Sequence, residues 1–487
     1  MNSALKIKTI FIAAFHTLAS RNILATDVLK SLSADPELRL VIFVPLFKTD
    51  FLKEQYGRDN IIFVGFNERQ LNNYFWFENL TSLAFSFLST YTAKLRSQEK
   101  LRKEKSLRAL VKYGRNRFAG AFLSRLMPAR FLLRFFDRFF SPIKLLNQYF
   151  DQYQPLAVFA TDVFLAADVL FLQAAKARRI LSIGMVRSWD NTTTKGLMRC
   201  LPDKLIVNNE IIKKEAVELH DFSAKNIFVS GLPQFDIGFL GKRTPRQEFF
   251  GKIGLNPKKR MILFAPAGQF LSDTDWQICE ILKNGLDQKK IPSDLQFLVR
   301  SHPMDPAPLS QFQPDERFVI ERPGTYFKVE TRNLGVVSGR RVVAGDPVDL
   351  GQLNAKLTEM SLDDLNHLFD SLYHSEMLIQ VNSTIGIDSL IFDKPDIMIE
   401  FDGWEKKNYL DSVERYHHED HMQKFLKTGA IRIVRSQEEL FEWINKYLEG
   451  PELDSGKRKI GAGQQIKFLD GQSGKRAAEF ILKSIND

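Results

Sequence analysis

The chain has 487 residues, 44% of them hydrophobic and 26% charged, which is typical of a folded protein with two or three domains. A single small module and an intrinsically disordered chain are excluded. Its two cysteines, Cys200 and Cys279, are far apart, which argues against a disulfide scaffold or a thiolate zinc site and favours a reducing compartment. The net charge is +10, and the stretch from Lys94 to Lys144 holds fifteen basic and three acidic residues.

Short apolar runs alternate with helical patterns along the first part of the chain. The runs that predict strands are 9–15, 38–45, 60–64, 156–160, 180–186, 204–207 and 226–229. Asp162 and Asp168 interrupt the apolar stretch 156–175, which therefore indicates a buried strand and a helix rather than a membrane span. This βαβ rhythm predicts a parallel sheet covered on both faces. We expect residues 1–240 to form a Rossmann-like domain with a basic helical insertion at about 85–150.

A second series of strand-like runs follows, at 261–265, 296–299, 318–320, 377–381 and 397–400. Residues 241–487 are therefore predicted to form a second Rossmann-like domain. Ligands of doubly wound sheets bind outside the carboxyl ends of the strands. The predicted fold class is α/β, with two Rossmann-like doubly wound domains facing a central cleft.

The basic segment contains the sequence RFLLRFFDRFF. Arg130, Arg134 and Arg138 recur every four residues, which predicts a cationic stripe on a helix beside large apolar side chains. Two interpretations stay open: an interfacial helix on an anionic membrane, or a packed helix with solvated arginines. A nucleic-acid partner is not expected, because no recognition motif accompanies the charge.

Five short polar segments each follow a predicted strand. They are SWDNTTTKG (188–196), SGLPQFD (230–236), FAPAGQF (264–270), RSHP (300–303) and NSTIGIDSLIFDKP (382–395). In this order the segments resemble the CDP-glycerol glycerophosphotransferase family, which includes the teichoic-acid glycerol phosphate polymerases. The resemblance covers about 156–403 and implies the GT-B glycosyltransferase architecture and a nucleotide-activated donor.

The predicted donor site lies in the last two segments. Ser383 and Thr384 follow a predicted strand and begin a helix, where free backbone N–H groups favour phosphate oxygens; ordinary N-capping is the alternative. Asp388, one turn further, is a candidate to accept from a ribose hydroxyl. The resemblance gives His302 a role beside the leaving phosphate, and a strand-end His without function is the alternative. The predicted donor-binding residues are Arg300, His302, Ser383, Thr384, Asp388 and Gly268.

The acceptor-side loop departs from the family pattern. Trp189 and Asp190 stand where the family has the His proposed as its general base. Asp190 can also remove a proton from an acceptor hydroxyl, although an Asx-turn is the alternative. His16 is a further candidate base, so the predicted catalytic residues are Asp190, His302 and His16. The predicted acceptor contacts are Trp189, Asn191, Thr192, Lys195 and Gln234. His417 and His421 lack a third ligand, and no metal site is expected.

These features predict a glycosyltransferase that is inverting and metal-independent and acts in cell-envelope or capsular polysaccharide assembly. It would need no cofactor, and a cytidine (CMP or CDP) or UDP nucleotide is favoured for the donor. The alternatives are a CDP-polyol phosphotransferase, a nucleotide-sugar 2-epimerase-like enzyme and a non-catalytic glycan-binding module. The expected partners are a nucleotide-sugar donor and a glycan or lipid-linked glycan acceptor, with an anionic membrane as a further candidate. The expected location is the cytoplasm, including the inner face of the cytoplasmic membrane.

Overall fold

The chain divides into two compact units. The structure, a computed structural model, describes residues 7–104, 107–269, 271–303, 307–327, 336–337, 340–341 and 358–487. The first unit contains the described residues of 1–234, 327–349 and 472–487, and the second contains those of 235–326 and 350–471. Within the described ranges, every helix is too short or too polar to cross a bilayer.

A parallel sheet of seven strands forms the centre of the first unit. Its strands are β1 Lys8–Ala13, β2 Leu38–Pro45, β3 Ile61–Phe66, β4 Ala157–Ala160, β5 Leu181–Met185, β6 Lys204–Val207 and β7 Ile227–Val229. Their order is β3-β2-β1-β4-β5-β6-β7, and in the register Phe11 of β1 lies between Val41 and Val158. The chain reverses its direction of winding between β1 and β4. This switch point is where doubly wound sheets bind ligands.

Helices connect these strands, as parallel pairing requires. The helices of the first unit are Asp27–Ser33, Thr49–Tyr56, Phe75–Ala84, Tyr91–Glu104, Leu107–Ala121, Met127–Phe139, Asn147–Tyr153, Ala166–Ala177, Asn191–Thr194, Glu210–His220 and Ser473–Asn486. The core between sheet and helices contains fully buried aromatic rings, and Phe11, Phe43 and Phe171 are in contact there. Burial of these rings supplies a large part of the hydrophobic stabilisation.

The second unit repeats this arrangement with six parallel strands. Its strands, in chain order after β7, are β8 Arg260–Ala265, β9 Leu295–Arg300, β10 Phe318–Glu321, β11 Thr325–Tyr326, β14 Thr358–Glu359, β15 Leu378–Gln380, β16 Asp396–Ile399 and β17 Arg432–Val434, while β12 Val336–Val337 and β13 Arg340–Arg341 group with the first unit. The sheet order is β10-β9-β8-β15-β16-β17, while β11–β14 and β12–β13 form separate antiparallel pairs. Its switch point lies between β8 and β15. The sequence patterns missed β17, which has only three residues.

Helices also connect the strands of the second sheet. They are Arg246–Ile253, Asp275–Asp287, Leu362–His374, Ile385–Ser389, Glu414–His417, Asp420–Leu426, Gln437–Glu449 and Ser455–Gln465, and helix Gln234–Leu240 begins at the junction of the units. Helix Leu362–His374 begins with a capping box, in which Ser361 and Asp364 each bond the other's backbone N–H. Two backbone N–H groups at the start of the helix thereby gain hydrogen-bond acceptors.

The helix Ser473–Asn486 groups with the first unit, which differs from the predicted assignment of 241–487 to one domain. It packs on helix Asp27–Ser33, and Phe480 stacks on Phe228 of β7 at 4.4 Å between ring centroids. Lys8 Nζ also donates to Asn486 Oδ1 at 3.0 Å. Stacking of the aromatic pair and burial of Ala477, Ala478 and Ile481 explain why this segment is held by the first unit.

The arginines of the insertion helix Met127–Phe139 correct the predicted cationic stripe. Arg130 and Arg134 both point inwards and form ion pairs with Asp221, at 2.6 and 2.8 Å. Arg134 also donates to the Met198 carbonyl. Only Arg138 of the three arginines is exposed. The polar face of this helix therefore packs against the unit, because a buried carboxylate with two guanidinium partners lies there.

Candidate functional site

Three polar residues follow adjacent strands of the first sheet beside its switch point. His16 comes after β1, Asp162 after β4 and Arg187 after β5. Arg187 Nε donates to Asp162 Oδ2 at 2.7 Å, and its Nη1 lies 2.9 Å from His16 Nε2. The Leu18 backbone N–H donates to His16 Nδ1 at 3.0 Å. We call these three residues the first strand-end cluster.

Further ionisable groups lie next to this cluster. Asp168, in the first turn of helix Ala166–Ala177, is fully buried, and its Oδ1 lies 3.5 Å from Thr161 Oγ1. Burial, followed by the charge of Asp162, raises the pKa of Asp168 well above its ordinary value. The environment thus disfavours a charged Asp168 carboxylate beside Asp162. From the end of β2, the buried Lys48 donates to Thr17 Oγ1 at 3.0 Å.

The predicted acceptor loop follows β5 and continues into the short helix Asn191–Thr194. Asp190 is half-buried, and its Oδ2 accepts a hydrogen bond from Thr194 Oγ1 at 2.9 Å. Its carbonyl oxygen accepts from the hydroxyls of Thr193 and Thr194, each at 3.0 Å. These contacts with Thr193 and Thr194 fix the conformation of the loop around Asp190.

The other predicted acceptor contacts differ widely in exposure. Asn191 is fully buried, and neither polar atom of its amide has a hydrogen-bond partner among the described residues. Thr192 is also buried and donates to Glu215, which directs its hydroxyl into the interior. Trp189 is half-buried, Lys195 is exposed and Gln234 is buried at the start of a helix. Thr192 therefore has a structural contact where the sequence predicted a ligand contact.

Three predicted donor residues come from β8 and β9 of the second unit. Gly268 follows β8 with a φ of +88°, and its N–H donates to Asp275 Oδ2 at 2.9 Å. His302 is half-buried just after β9. Arg300 is buried and forms an ion pair with Glu321 of β10. Its guanidinium thus holds two strands together, so its contacts favour a structural role over the predicted phosphate contact.

The remaining donor residues follow β15. Ser383 is half-buried, and its Oγ accepts weakly from the Ile385 N–H at 3.4 Å, whereas the N-cap position of the helix is occupied by Thr384. Thr384 is exposed, whereas Asp388 is buried within helix Ile385–Ser389. The hydroxyls of Ser383 and Thr384 are therefore the accessible groups at this strand end, and Asp388 is less accessible than the predicted ribose contact requires.

Glu400, a carboxylate that no sequence motif indicated, follows β16. Glu400 lies 2.8 Å from His417 Nδ1 through Oε1 and 2.6 Å from Arg435 Nε through Oε2. Burial raises the pKa of Glu400, but His417 and Arg435 together lower it by more. The net effect is a pKa below the ordinary value. His417 Nε2 also lies 3.3 Å from the Val381 carbonyl at the end of β15. Of the residues that the structure describes, no three His, Cys, Asp or Glu side chains are grouped to hold a metal ion.

The structure brings some predicted residues together and separates others. His302, Gly268 and Ser383 follow β9, β8 and β15, three neighbouring strands of one sheet. Adjacent parallel strands lie about 4.8 Å apart, so their ends form one continuous edge. His16 joins Asp162 and Arg187, two residues absent from the predicted set. The signal for Asp162 was its position inside an apolar run, where a carboxylate needs a partner.

Comparisons with known proteins identify the fold. No family model matches the chain, and no curated protein matches its sequence. Among solved structures, UDP-GlcNAc 2-epimerase of Neisseria meningitidis bound to UDP-GlcNAc matches with a TM-score of 0.54 at 11% identity, over 98% of this chain and 100% of that one. MnaA of S. aureus in a co-structure with UDP gives 0.53 at 10% identity, over 98% and 97%.

A third match is UDP-GlcNAc 2-epimerase of Methanocaldococcus jannaschii, with a TM-score of 0.52 at 9% identity over 98% of this chain and 99% of that one. Identities this low carry information about the fold and not about the activity. Together with the two parallel sheets, these matches confirm the predicted α/β fold class. The chain has the GT-B fold, with two Rossmann-like units.

Proposed function

We propose that this protein is a glycosyltransferase that transfers a sugar from a nucleotide-activated donor to a cell-envelope or capsular glycan acceptor. One observation carries the proposal: two sheets with the same type of strand order each have polar side chains at the carboxyl ends beside the switch point. The structures that match with TM-scores above 0.5 include one in complex with UDP and one bound to UDP-GlcNAc, which supports a nucleotide-sugar ligand.

The second unit is proposed to bind the donor. The hydroxyls of Ser383 and Thr384 are accessible after β15, and His302 is half-buried after β9. Hydroxyl and imidazole N–H groups donate hydrogen bonds to phosphate oxygens, and these bonds strengthen as the leaving diphosphate gains negative charge. Gly268, after the intervening β8, allows close approach of a ligand to the backbone because it lacks a side chain.

The first unit is proposed to bind the acceptor and to hold the base. The acceptor hydroxyl attacks the anomeric carbon, the bond from that carbon to the diphosphate breaks, and the hydroxyl proton passes to the base. Asp190 remains the candidate base, because the other strand-end carboxylate, Asp162, is already paired with Arg187. A single displacement of this kind inverts the anomeric configuration and needs no metal for the proton transfer.

Two rival activities have their own support. A nucleotide-sugar 2-epimerase-like enzyme is favoured by the structural match to UDP-GlcNAc 2-epimerases. A CDP-polyol phosphotransferase is favoured by the order of the five polar segments. The rivals differ in what they consume, since an epimerase needs no acceptor and a phosphotransferase uses a polyol donor.

A two-step experiment separates these activities. Thermal unfolding with CMP, CDP, UDP, GDP or dTDP identifies the nucleotide, because a ligand at 100 times its Kd stabilises by about 2.7 kcal/mol. The corresponding sugar and polyol donors are then incubated with the purified protein, with and without a membrane glycan fraction. Acceptor-dependent release of nucleoside diphosphate with a new glycosidic product supports the proposal. An altered sugar without acceptor, CMP release from a CDP-polyol, or no nucleotide-induced stabilisation would each refute it.

A further inference from the structure

Helix Met127–Phe139 has large apolar side chains on its outer side. Six of its thirteen residues are apolar and between 45% and 71% exposed: Met127, Phe131, Leu132, Phe135, Phe136 and Phe139. Their spacing puts them on one half of the helix, opposite the inward positions 130, 133, 134 and 137. This apolar surface, which we call the outer face, is of the kind that marks an interaction site in a folded protein.

The inward side of the same helix is fixed by polar contacts. Arg130 and Arg134 share Asp221, as described above, and the fully buried Asp137 accepts from Arg199 Nη1 at 2.8 Å. Asp137 also accepts from the amide nitrogen of Gln173. Rotating the outer face inwards would separate these charges from their partners in a buried environment. The ion pairs therefore hold the apolar residues outwards.

Exposed aromatic rings continue the outer face beyond this helix. Phe139 contacts Phe140, which stacks on Trp76, and Trp76 contacts Phe75, with centroid distances of 5.1 to 5.4 Å. Phe75 and Trp76 are themselves more than half exposed. Phe118 and Phe122 form another exposed pair in the same insertion. The surface is thus a broad aromatic area, and a ring such as Trp76 suits the boundary between lipid and water.

The charge around this area is positive. The exposed basic side chains of the described part of this segment are Lys94, Arg96, Arg115, Arg125, Arg138 and Lys144. Of the three acidic residues between Lys94 and Lys144, Asp137 is buried and Glu99 is half-buried; the side chain of Glu104 is outside the described part, as are several basic ones at 100–112. A second copy of the chain would bring like charges together, which disfavours self-association. An anionic surface with an apolar interior complements both the positive charge and the exposed apolar side chains.

We propose that the outer face docks the protein on an anionic lipid membrane. The aromatic and aliphatic side chains enter the boundary between headgroups and acyl chains, and the surrounding lysines and arginines contact lipid phosphates. The inserted groups are the phenylalanines, whereas Arg130 and Arg134 keep the helix in place from within. This proposal rests on the surface of the insertion and is independent of the proposed sugar transfer.

Vesicle sedimentation of the full-length protein tests the proposal. Vesicles of phosphatidylcholine alone are compared with vesicles that contain 30% phosphatidylglycerol, at 50 and 500 mM NaCl. We expect binding at least tenfold stronger to the phosphatidylglycerol vesicles at low salt, with partial loss at high salt because screening weakens only the electrostatic part. The double variant Phe135→Ser/Phe139→Ser is expected to lose at least 90% of this binding.

The matched control is Ile460→Ser/Leu469→Ser, which removes two exposed apolar side chains from the second unit. We expect its binding and its thermal unfolding to equal those of the unchanged protein. Brominated phosphatidylglycerol vesicles should quench part of the tryptophan fluorescence. This quenching should be absent in Trp76→Phe. The proposal is overturned by an absence of binding to anionic vesicles, by equal binding of the Phe135→Ser/Phe139→Ser variant, or by an outer face that mediates only concentration-dependent dimerisation.

Discussion

Replacing Asp396 tests how far a buried carboxyl group controls the stability of the second unit. Asp396, at the start of β16, is fully buried, and its Oδ2 accepts from Gln380 Nε2 at 3.3 Å. Its Oδ1 has no hydrogen-bond partner among the described residues. Burial raises its pKa to about 8, and the Gln380 contact and the charge of Arg458 oppose this only in part. The folded protein therefore carries a neutral carboxyl group at pH 7.

The magnitude follows from proton linkage. In the unfolded chain an aspartate releases its proton near pH 4, whereas the folded state keeps the proton of Asp396 up to about pH 8. The folded state binds more protons between these values, so stability falls as pH rises, by about 1.4 kcal/mol per pH unit. At pH 7 the accumulated cost is about 4 kcal/mol. Asp396→Asn retains the shape without titrating, and we expect it to remove most of this cost.

Urea denaturation at pH 5, 6, 7 and 8 measures the effect, with tryptophan fluorescence as the signal. The advantage of Asp396→Asn over the unchanged protein should grow by about 1.4 kcal/mol for each unit from pH 5 to pH 7. Asp363→Asn is the matched control, because Asp363 is exposed in the same unit and its helix-terminal charge accounts for about 0.5 kcal/mol. An Asp396→Asn advantage that stays constant with pH would refute the reasoning.

The remaining predictions concern the candidate site and the insertion helix. Asp190→Asn should lower turnover about 100-fold while donor affinity persists, and steady-state kinetics with unchanged turnover would exclude Asp190 as the base. His302→Ala should weaken nucleotide binding about tenfold in calorimetry, and equal affinity would contradict its role beside the phosphates. Asp221→Ala leaves two largely buried guanidinium groups without their common partner, and should cost the first unit about 3 kcal/mol in urea denaturation. A cost below about 1 kcal/mol would contradict the anchoring of the insertion helix.

Strand positions could be predicted from the sequence because buried parallel strands are short apolar runs between polar segments. The predicted runs 38–45 and 204–207 coincide with β2 and β6, and most other boundaries differ by one or two residues. The strand β17 was missed because three residues, one of them Arg432, give no recognisable pattern. Strand order is a long-range property, and the comparison with solved structures was needed to identify the fold.

The candidate site was predictable only in part, because a motif shows where a residue lies in the chain and not which partner its side chain contacts. The sequence correctly predicted that Ser383 and His302 follow strands. It could not show that Arg300 is paired with Glu321, since the carboxylate lies 21 residues away. The helix Met127–Phe139 shows the same difficulty: its periodicity was correct, but the partner that turns its arginines inwards, Asp221, lies more than 80 residues further along the chain.

The grouping of helix Ser473–Asn486 with the first unit means that this unit is assembled from segments on both sides of the second unit. The helix contacts Asp27–Ser33 and Phe228, which lie far before it in the chain. Removal of residues 472–487 should therefore lower the protease resistance of the first unit, while the second unit stays resistant.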